Sequence, residues 1–178
     1  MRCYLASPWF VPRQMENMKK VREQLEEIVD VYSPERDGFT VKENFTERTR
    51  RIVANNDLGG IDTTDFVFAI CDYDDLFLSY KDNPKENGII DSNRIFKGFD
   101  SGTLIEISYA VGRGKPVLAL FPSTVKTNVM LVPLFLGYTT KIDLCGELTR
   151  EMLIEKKKFN KAKYINEEIS VDKGVLIK

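Results

Sequence analysis

Two continuous apolar runs constrain this chain most: Asp65–Cys71 (DFVFAIC) and Pro116–Phe121 (PVLALF). Successive strand residues point to opposite faces, so a strand without polar alternation is apolar on both. Such strands suit the middle of a parallel sheet covered by helices on either side. Other segments supply the helices. Met15, Met18, Val21, Leu25 and Ile28 recur at helical spacing over Arg13–Ile28, with Pro12 near the first turn. Asn44–Leu58 reads as a helix closing at Gly59-Gly60, and Ser101–Arg113 as another, capped by Asp100 or Ser101. Arg2–Ala6 and Val29–Tyr32 read as strands, the first ended by Pro8 and Pro12, the second by Ser33-Pro34 and Asp37-Gly38. Lys141–Leu144 reads as a last strand and Leu148–Lys163 as a charged helix. Asp72–Asp100 is a long acidic excursion.

Strands alternating with helices give an α/β doubly wound parallel sheet, and 178 residues fit one domain, 1–178. In such sheets ligands bind at the carboxyl ends of the strands. Those ends are Ser7–Phe10, Ser33–Gly38, Asp72 onward and Pro122–Asn128.

Composition removes whole classes of chemistry. The chain has no histidine, so triads, general bases and metal sites built on imidazole are excluded. The three cysteines Cys3, Cys71 and Cys145 cannot form a four-cysteine zinc site or a paired disulfide framework, and they point to a reducing cytoplasm. A net charge of −1 offers no broad basic field for a nucleic-acid polymer. No apolar stretch approaches a membrane span, and the first residues carry no signal-peptide pattern.

The candidate chemistry therefore rests on carboxylates and tyrosine. Ser7-Pro8-Trp9-Phe10 has no glycine to cradle a phosphate; its aromatics either stack on a flat ring or cover the sheet edge. Asp72 follows the third strand as a phosphoacceptor aspartate would, but Ser7-Pro8 stands where the accompanying acidic pair is needed. Asp100-Ser101-Gly102-Thr103-Leu104-Ile105-Glu106 opens a helix on which Thr103, Glu106 and Arg113 share one polar stripe. That stripe is either a solvated edge or part of a pocket. Asp57, in Asn55-Asn56-Asp57-Leu58-Gly59-Gly60-Ile61, reads as the end of a helix, where a carboxylate is electrostatically disfavoured.

Taken in chain order, these stretches resemble the nucleoside 2-deoxyribosyltransferase family. The likeness runs over Tyr4–Phe10 with Arg13-Gln14, Asn56–Ile61, Thr64-Asp65, Asp100–Glu106 with Tyr109-Ala110, Gly114–Val117 and Asn128–Met130, covering about residues 1–140. Residues 141–178 are left as a C-terminal helix and tail. The resemblance implies a flavodoxin-like (Rossmann-like) five-stranded parallel sheet, no metal, no cofactor, and a homo-oligomer, dimer or hexamer, with shared active sites. It implies a cytoplasmic enzyme of nucleotide salvage that exchanges the base of 2'-deoxyribonucleosides with a free nucleobase. In that scheme Glu106 is the nucleophile, Tyr4 orients it, and Asp57 serves the base as acid and then as base. Asp100 binds sugar hydroxyls, Asn128 reaches the sugar from a neighbouring subunit, and Trp9 and Phe10 exclude water.

Two alternatives stand beside it. A deoxynucleoside 5'-monophosphate N-glycosidase would share the glutamate but needs serines and a basic group for the phosphate, and Arg13 is the only cation near the first loop. A non-catalytic flavodoxin-like nucleotide- or flavin-binding module would need a Ser/Thr/Gly-rich first loop, which is absent.

Overall fold

The computed structural model describes residues 1–39, 46–72, 100–121, 134–155 and 169–170. The two apolar runs form neighbouring inner strands. The first is β3 (Phe66–Ile70) and the second β4 (Val117–Leu120), and every residue of both is buried. Around them lie β1 (Arg2–Ala6), β2 (Asp30–Tyr32), β5 (Gly137–Thr139) and β6 (Ile169–Ser170). The order is β2-β1-β3-β4-β5-β6 with every pairing parallel. The first five strands are the expected flavodoxin-like sheet; the two-residue β6 extends its edge.

Helices cover both faces: α1 (Pro12–Glu26), α3 (Glu47–Asp62), α4 (Ser101–Gly112) and α5 (Cys145–Glu155), with a single turn α2 (Pro34–Asp37) after β2. Strand alternation divides the core. Cys3 and Leu5 of β1, with Phe66 and Phe68 of β3, pack against Met18, Val21 and Leu25 of α1 and Leu148 and Met152 of α5. Tyr4 and Ala6, with Val67 and Ala69, face Ile61 of α3 and Ile107 and Ala110 of α4. The order in which strands are laid down reverses between β1 and β3, which makes their carboxyl ends the topological switch point. Gly114, with φ of 70°, takes the left-handed turn that brings α4 back into β4.

Several boundaries differ from the sequence reading, each for a physical reason. The buried stripe of α1 is Gln14, Met18, Val21 and Leu25, and Met15 lies 46% exposed. Positions 14, 18, 21 and 25 follow one helical face; Met15 falls beside it. Helix α3 runs through Gly59-Gly60 to Asp62 instead of stopping before them. Asp57 is therefore more than a turn inside the helix, not at its end. The last predicted strand is displaced: β5 is Gly137–Thr139, while Ile142–Leu144 form a 3-10 turn leading into α5. Leu148–Lys163 is realised as Cys145–Glu155 within the described residues. Asn128, positions 73–99 of the acidic excursion and most of the tail lie outside the described residues.

Candidate active site

The site grows from β1. Tyr4 is fully buried on the side that faces α3 and α4. Helix α4 starts at a fixed point: the Asp100 carboxylate accepts the Thr103 backbone N–H at 2.7 Å and the Thr103 hydroxyl at 2.8 Å, both on Oδ2. This is an N-cap, and Asp100 is 6% exposed. The cap sets the helix phase, so Thr103, Ile107 and Ala110 face the sheet. Glu106, one position before Ile107, comes level with the tyrosine. The Tyr4 hydroxyl donates to Glu106 Oε1 at 2.6 Å, across 102 residues of sequence.

When Glu106 is ionised, this short O–H···O⁻ bond is charge-assisted. Burial dominates the carboxyl's titration and pushes Glu106 up to about 8; the Tyr4 hydrogen bond opposes this, while the charges of Asp57 and Asp100 add to it. The Tyr4 hydroxyl is pushed far above the ordinary tyrosine range, first by burial and then by the neighbouring glutamate. It therefore remains a donor at all working pH values.

The second wall is α3. Half-buried Asp57 has its pKa raised by burial, with the Asn56 amide acting in the opposite direction. Asp57's charge also bears on Tyr4 and Glu106, so the acids and the phenol form one electrostatic unit. Tyr32, paired in register with Tyr4, stacks on it with ring centroids 5.5 Å apart and planes 19° from parallel. The Asn56 amide donates to the Tyr32 hydroxyl at 3.0 Å. Gly60 lets the helix press onto both rings: a Cβ there would meet Tyr32 Cε1 at 2.6 Å and Tyr4 Cε2 at 3.1 Å.

The first loop follows the carboxyl end of β1. Trp9 and Phe10 are exposed and stack on each other at 5.8 Å. Buried Gln14 holds the loop, its carbonyl oxygen accepting the Phe10 N–H at 3.0 Å and the Val11 N–H at 3.3 Å. Beside it, Arg13 makes a two-pronged ion pair with buried Asp72, at 2.6 and 3.2 Å. The Asp72 carbonyl also accepts the Asp100 N–H at 3.2 Å, tying the end of β3 to the start of α4.

The polar stripe of α4 is thus divided among three partners. Thr103 turns to Asp100 and Glu106 to Tyr4, while Arg113 grips Asp62 on the surface at 2.8 and 3.0 Å. Tyr4, Glu106, Asp57 and Asp100 form one cluster; Arg113 is no part of it. All three cysteines are free and buried, and burial raises their thiol pKa values, Cys145 to about 12. That leaves the carboxylates and tyrosine as the reactive groups of this cluster. Among the described residues no group of acidic or cysteine side chains is arranged to hold a metal ion. None of their helices is long and apolar enough to cross a membrane.

Tyr32, Asn56 and Gln14 were given no role by sequence reasoning. The signal for Tyr32 lay in register: an aromatic at the same level of an adjacent parallel strand as Tyr4. Gln14 was visible only as part of the Arg13-Gln14 stretch that resembles the family.

The sequence profile of nucleoside 2-deoxyribosyltransferases matches residues 3–161, beyond the stretch whose motifs are legible by eye. Among solved structures, a 2-deoxyribosyltransferase from Bacillus psychrosaccharolyticus is similar with a TM-score of 0.60. It shares 24% identity, over 82% of this chain and 90% of its own. A conserved protein from Enterococcus faecalis V583 is similar with a TM-score of 0.50 at 18% identity, over 89% of this chain and 98% of its own. No curated protein matches the sequence.

Proposed function

The chain belongs to the nucleoside 2-deoxyribosyltransferase family, and from that premise we propose that it exchanges the nucleobase of 2'-deoxyribonucleosides by double displacement on Glu106. The observation that carries this reading is the 2.6 Å hydrogen bond from Tyr4 to Glu106, which orients a carboxylate oxygen and favours its anion.

In the first half-reaction a Glu106 oxygen attacks the anomeric carbon. The bond to the base nitrogen breaks, its electron pair leaves with the base, and Asp57 supplies a proton to that base. In the second, a nitrogen of the incoming base attacks the same carbon, Asp57 takes its proton, and the ester bond to Glu106 breaks. Two inversions give net retention through an oxocarbenium-like transition state. A 2-deoxy sugar lacks the electron-withdrawing hydroxyl next to the reacting carbon and reaches that state more easily than ribose.

The protonation pattern follows from coupling. The charge of Asp57 adds to the affinity of Glu106 for a proton. With Glu106 raised to about 8, the free site keeps that proton mostly on Glu106. The reactive arrangement, anionic Glu106 beside protonated Asp57, is the less populated tautomer. Tyr4 stabilises it by donating to the anion. Asp100, fixed by its cap bonds, is the acid offered to the sugar hydroxyls. Trp9 and Phe10 shield the ester from water, which keeps transfer ahead of hydrolysis. Asn128 completes the sugar contacts from a neighbouring subunit of a homo-oligomer. The engagement of Arg13 with Asp72 supports a donor with an uncharged 5' end over a 5'-monophosphate.

The test is a base-exchange assay with 2'-deoxynucleoside donors, with and without free-base acceptors, read by chromatography. Exchanged nucleoside that depends on the acceptor supports the proposal. Release of free deoxyribose that added base leaves unchanged, or turnover of 5'-monophosphates alone, supports the hydrolase and overturns it.

A further inference from the structure

Beside Tyr4, Glu106, Asp57 and Asp100, the cluster holds a second polar pair. Tyr32 stands at the end of β2 and Asn56 on α3, and their side chains meet at 3.0 Å. Asn56 directly precedes Asp57, and its amide bears on the Asp57 carboxyl. On its other side Tyr32 is fixed by its stack on Tyr4 at 5.5 Å, and by the Arg2 guanidinium 5.4 Å from its ring centroid. Tyr4 in turn holds Glu106 at 2.6 Å. The result is a continuous chain of contacts, Glu106–Tyr4–Tyr32–Asn56, running from one acid through two stacked phenols to the residue directly before the other.

We propose that Tyr32 and Asn56 are positioning residues for Asp57, and that the Tyr4–Tyr32 stack locks the proton-transfer side of the site to the nucleophile side. The proposal rests on the base-exchange reading above and adds residues to which that reading gave no part.

The physical need is specific. Helix α3 fully buries only Gly60 and Ile61, and Leu58 packs partly buried against the same core, so apolar packing anchors this side of the helix but does not orient the polar side chains of Asn56 and Asp57. The Asn56–Tyr32 hydrogen bond is the polar tie between the turn that carries them and the sheet. Gly60, one turn further along, allows the close approach that this tie requires. A general acid must stay within hydrogen-bond reach of the leaving nitrogen, and a displacement of about 1 Å costs on the order of 100-fold in rate. Tying the helix to the phenol that stacks on Tyr4 gives both acids one frame of reference.

The experiment separates proton transfer from nucleophilic attack. Donors are a series of 2'-deoxynucleosides graded by the ability of the base to depart without a proton. In the purine series this ends at an N7-methylated base, already cationic in the nucleoside. In the pyrimidine series it ends at an acidic 5-halogenated uracil. The series is taken from whichever class the wild type accepts. Tyr32→Phe keeps the ring and its stack and removes only the oxygen; Asn56→Ala removes the tie from the other end.

Read as base release in the first turnover, before any acceptor is engaged, each variant should lose about 10- to 100-fold on the ordinary donor and less than about threefold on the donor that needs no proton. Tyr4→Phe should slow both donors. An equal loss on both donors for Tyr32→Phe and Asn56→Ala, or full rate on both, overturns the proposal while leaving the base-exchange reading intact. A wild type that exchanges no base from any donor overturns that reading and this one with it. Melting curves on each variant confirm that rates are read on folded protein.

Discussion

Replacing Tyr4 by phenylalanine deletes one oxygen and leaves the ring free to stay stacked on Tyr32. What is lost is the 2.6 Å bond to Glu106. A hydrogen bond to a charged group contributes about 1.5–3 kcal/mol. At about 1.4 kcal/mol per unit, that corresponds to roughly one to two pKa units on Glu106. The sign is fixed by which form the bond favours. Tyr4 donates to the anion, so its removal raises a pKa that already stands at about 8. The tautomer with anionic Glu106 and protonated Asp57 becomes about 10- to 100-fold rarer, and kcat/KM should fall by that factor. The pH profile gives a second readout. For wild type it should be bell-shaped, rising as the pair loses its first proton and falling through about 8 as it loses its last. In Tyr4→Phe the alkaline limb should move up by roughly one to two units. Base exchange followed by chromatography across the pH range measures both. A rate loss with the alkaline limb unmoved, or moved downward, would refute the assigned role of Tyr4.

Other consequences follow from the same geometry. Glu106 has its folded-state pKa raised from 4.5 to about 8, so wild-type stability should decline as pH rises between those values. Glu106→Gln removes that titration; its melting temperature should exceed the wild type's by a margin that grows over that window and then levels, while exchange is abolished. Gly60→Ala places a methyl 2.6 Å from Tyr32 Cε1, and should destabilise the fold by about 1–3 kcal/mol and slow exchange, read by denaturant titration and by assay. Asp100 has two jobs that its variants separate. Asp100→Asn keeps a capping oxygen and should hold stability within about 0.5 kcal/mol while weakening sugar binding, whereas Asp100→Ala should lose about 1 kcal/mol as well.

The legible parts of the fold are those where one physical effect dominates. Phe66–Ile70 and Val117–Leu120 are apolar on both faces, and no other packing would bury them, so β3 and β4 fall within a residue of expectation. Asp100 reads as a cap because a carboxylate suits the start of a helix, and it is one. The misreadings occur where a residue answers to a tertiary partner. Gly59-Gly60 resembles a helix stop, yet Gly60 lies within the last turn of α3, where two tyrosine rings lie against it. Ile142 and Leu144 resemble an edge strand, but the ladder uses Gly137–Thr139, a three-residue strand too short to show an alternating pattern. In the site, Tyr4, Glu106, Asp57 and Asp100 could be named because their stretches resemble a known family in order. The pairing of Tyr32 with Asn56 could not, because a lone tyrosine at a strand end and the asparagine that opens the Asn56–Ile61 stretch meet only when β1 and β2 pair in register and α3 packs across them.

The central claim is a covalent deoxyribosyl ester on Glu106, and it can be observed directly. The protein is mixed with a 2'-deoxynucleoside in the absence of acceptor base, quenched rapidly in acid, and weighed intact by mass spectrometry, with the adduct then mapped by peptide. The account predicts a single deoxyribosyl adduct on the peptide containing Thr103–Arg113, absent from Glu106→Gln, and discharged with retention at the anomeric carbon when a free base is added. Turnover with no adduct and with inversion at that carbon would contradict it, and would mean that water attacks the sugar directly.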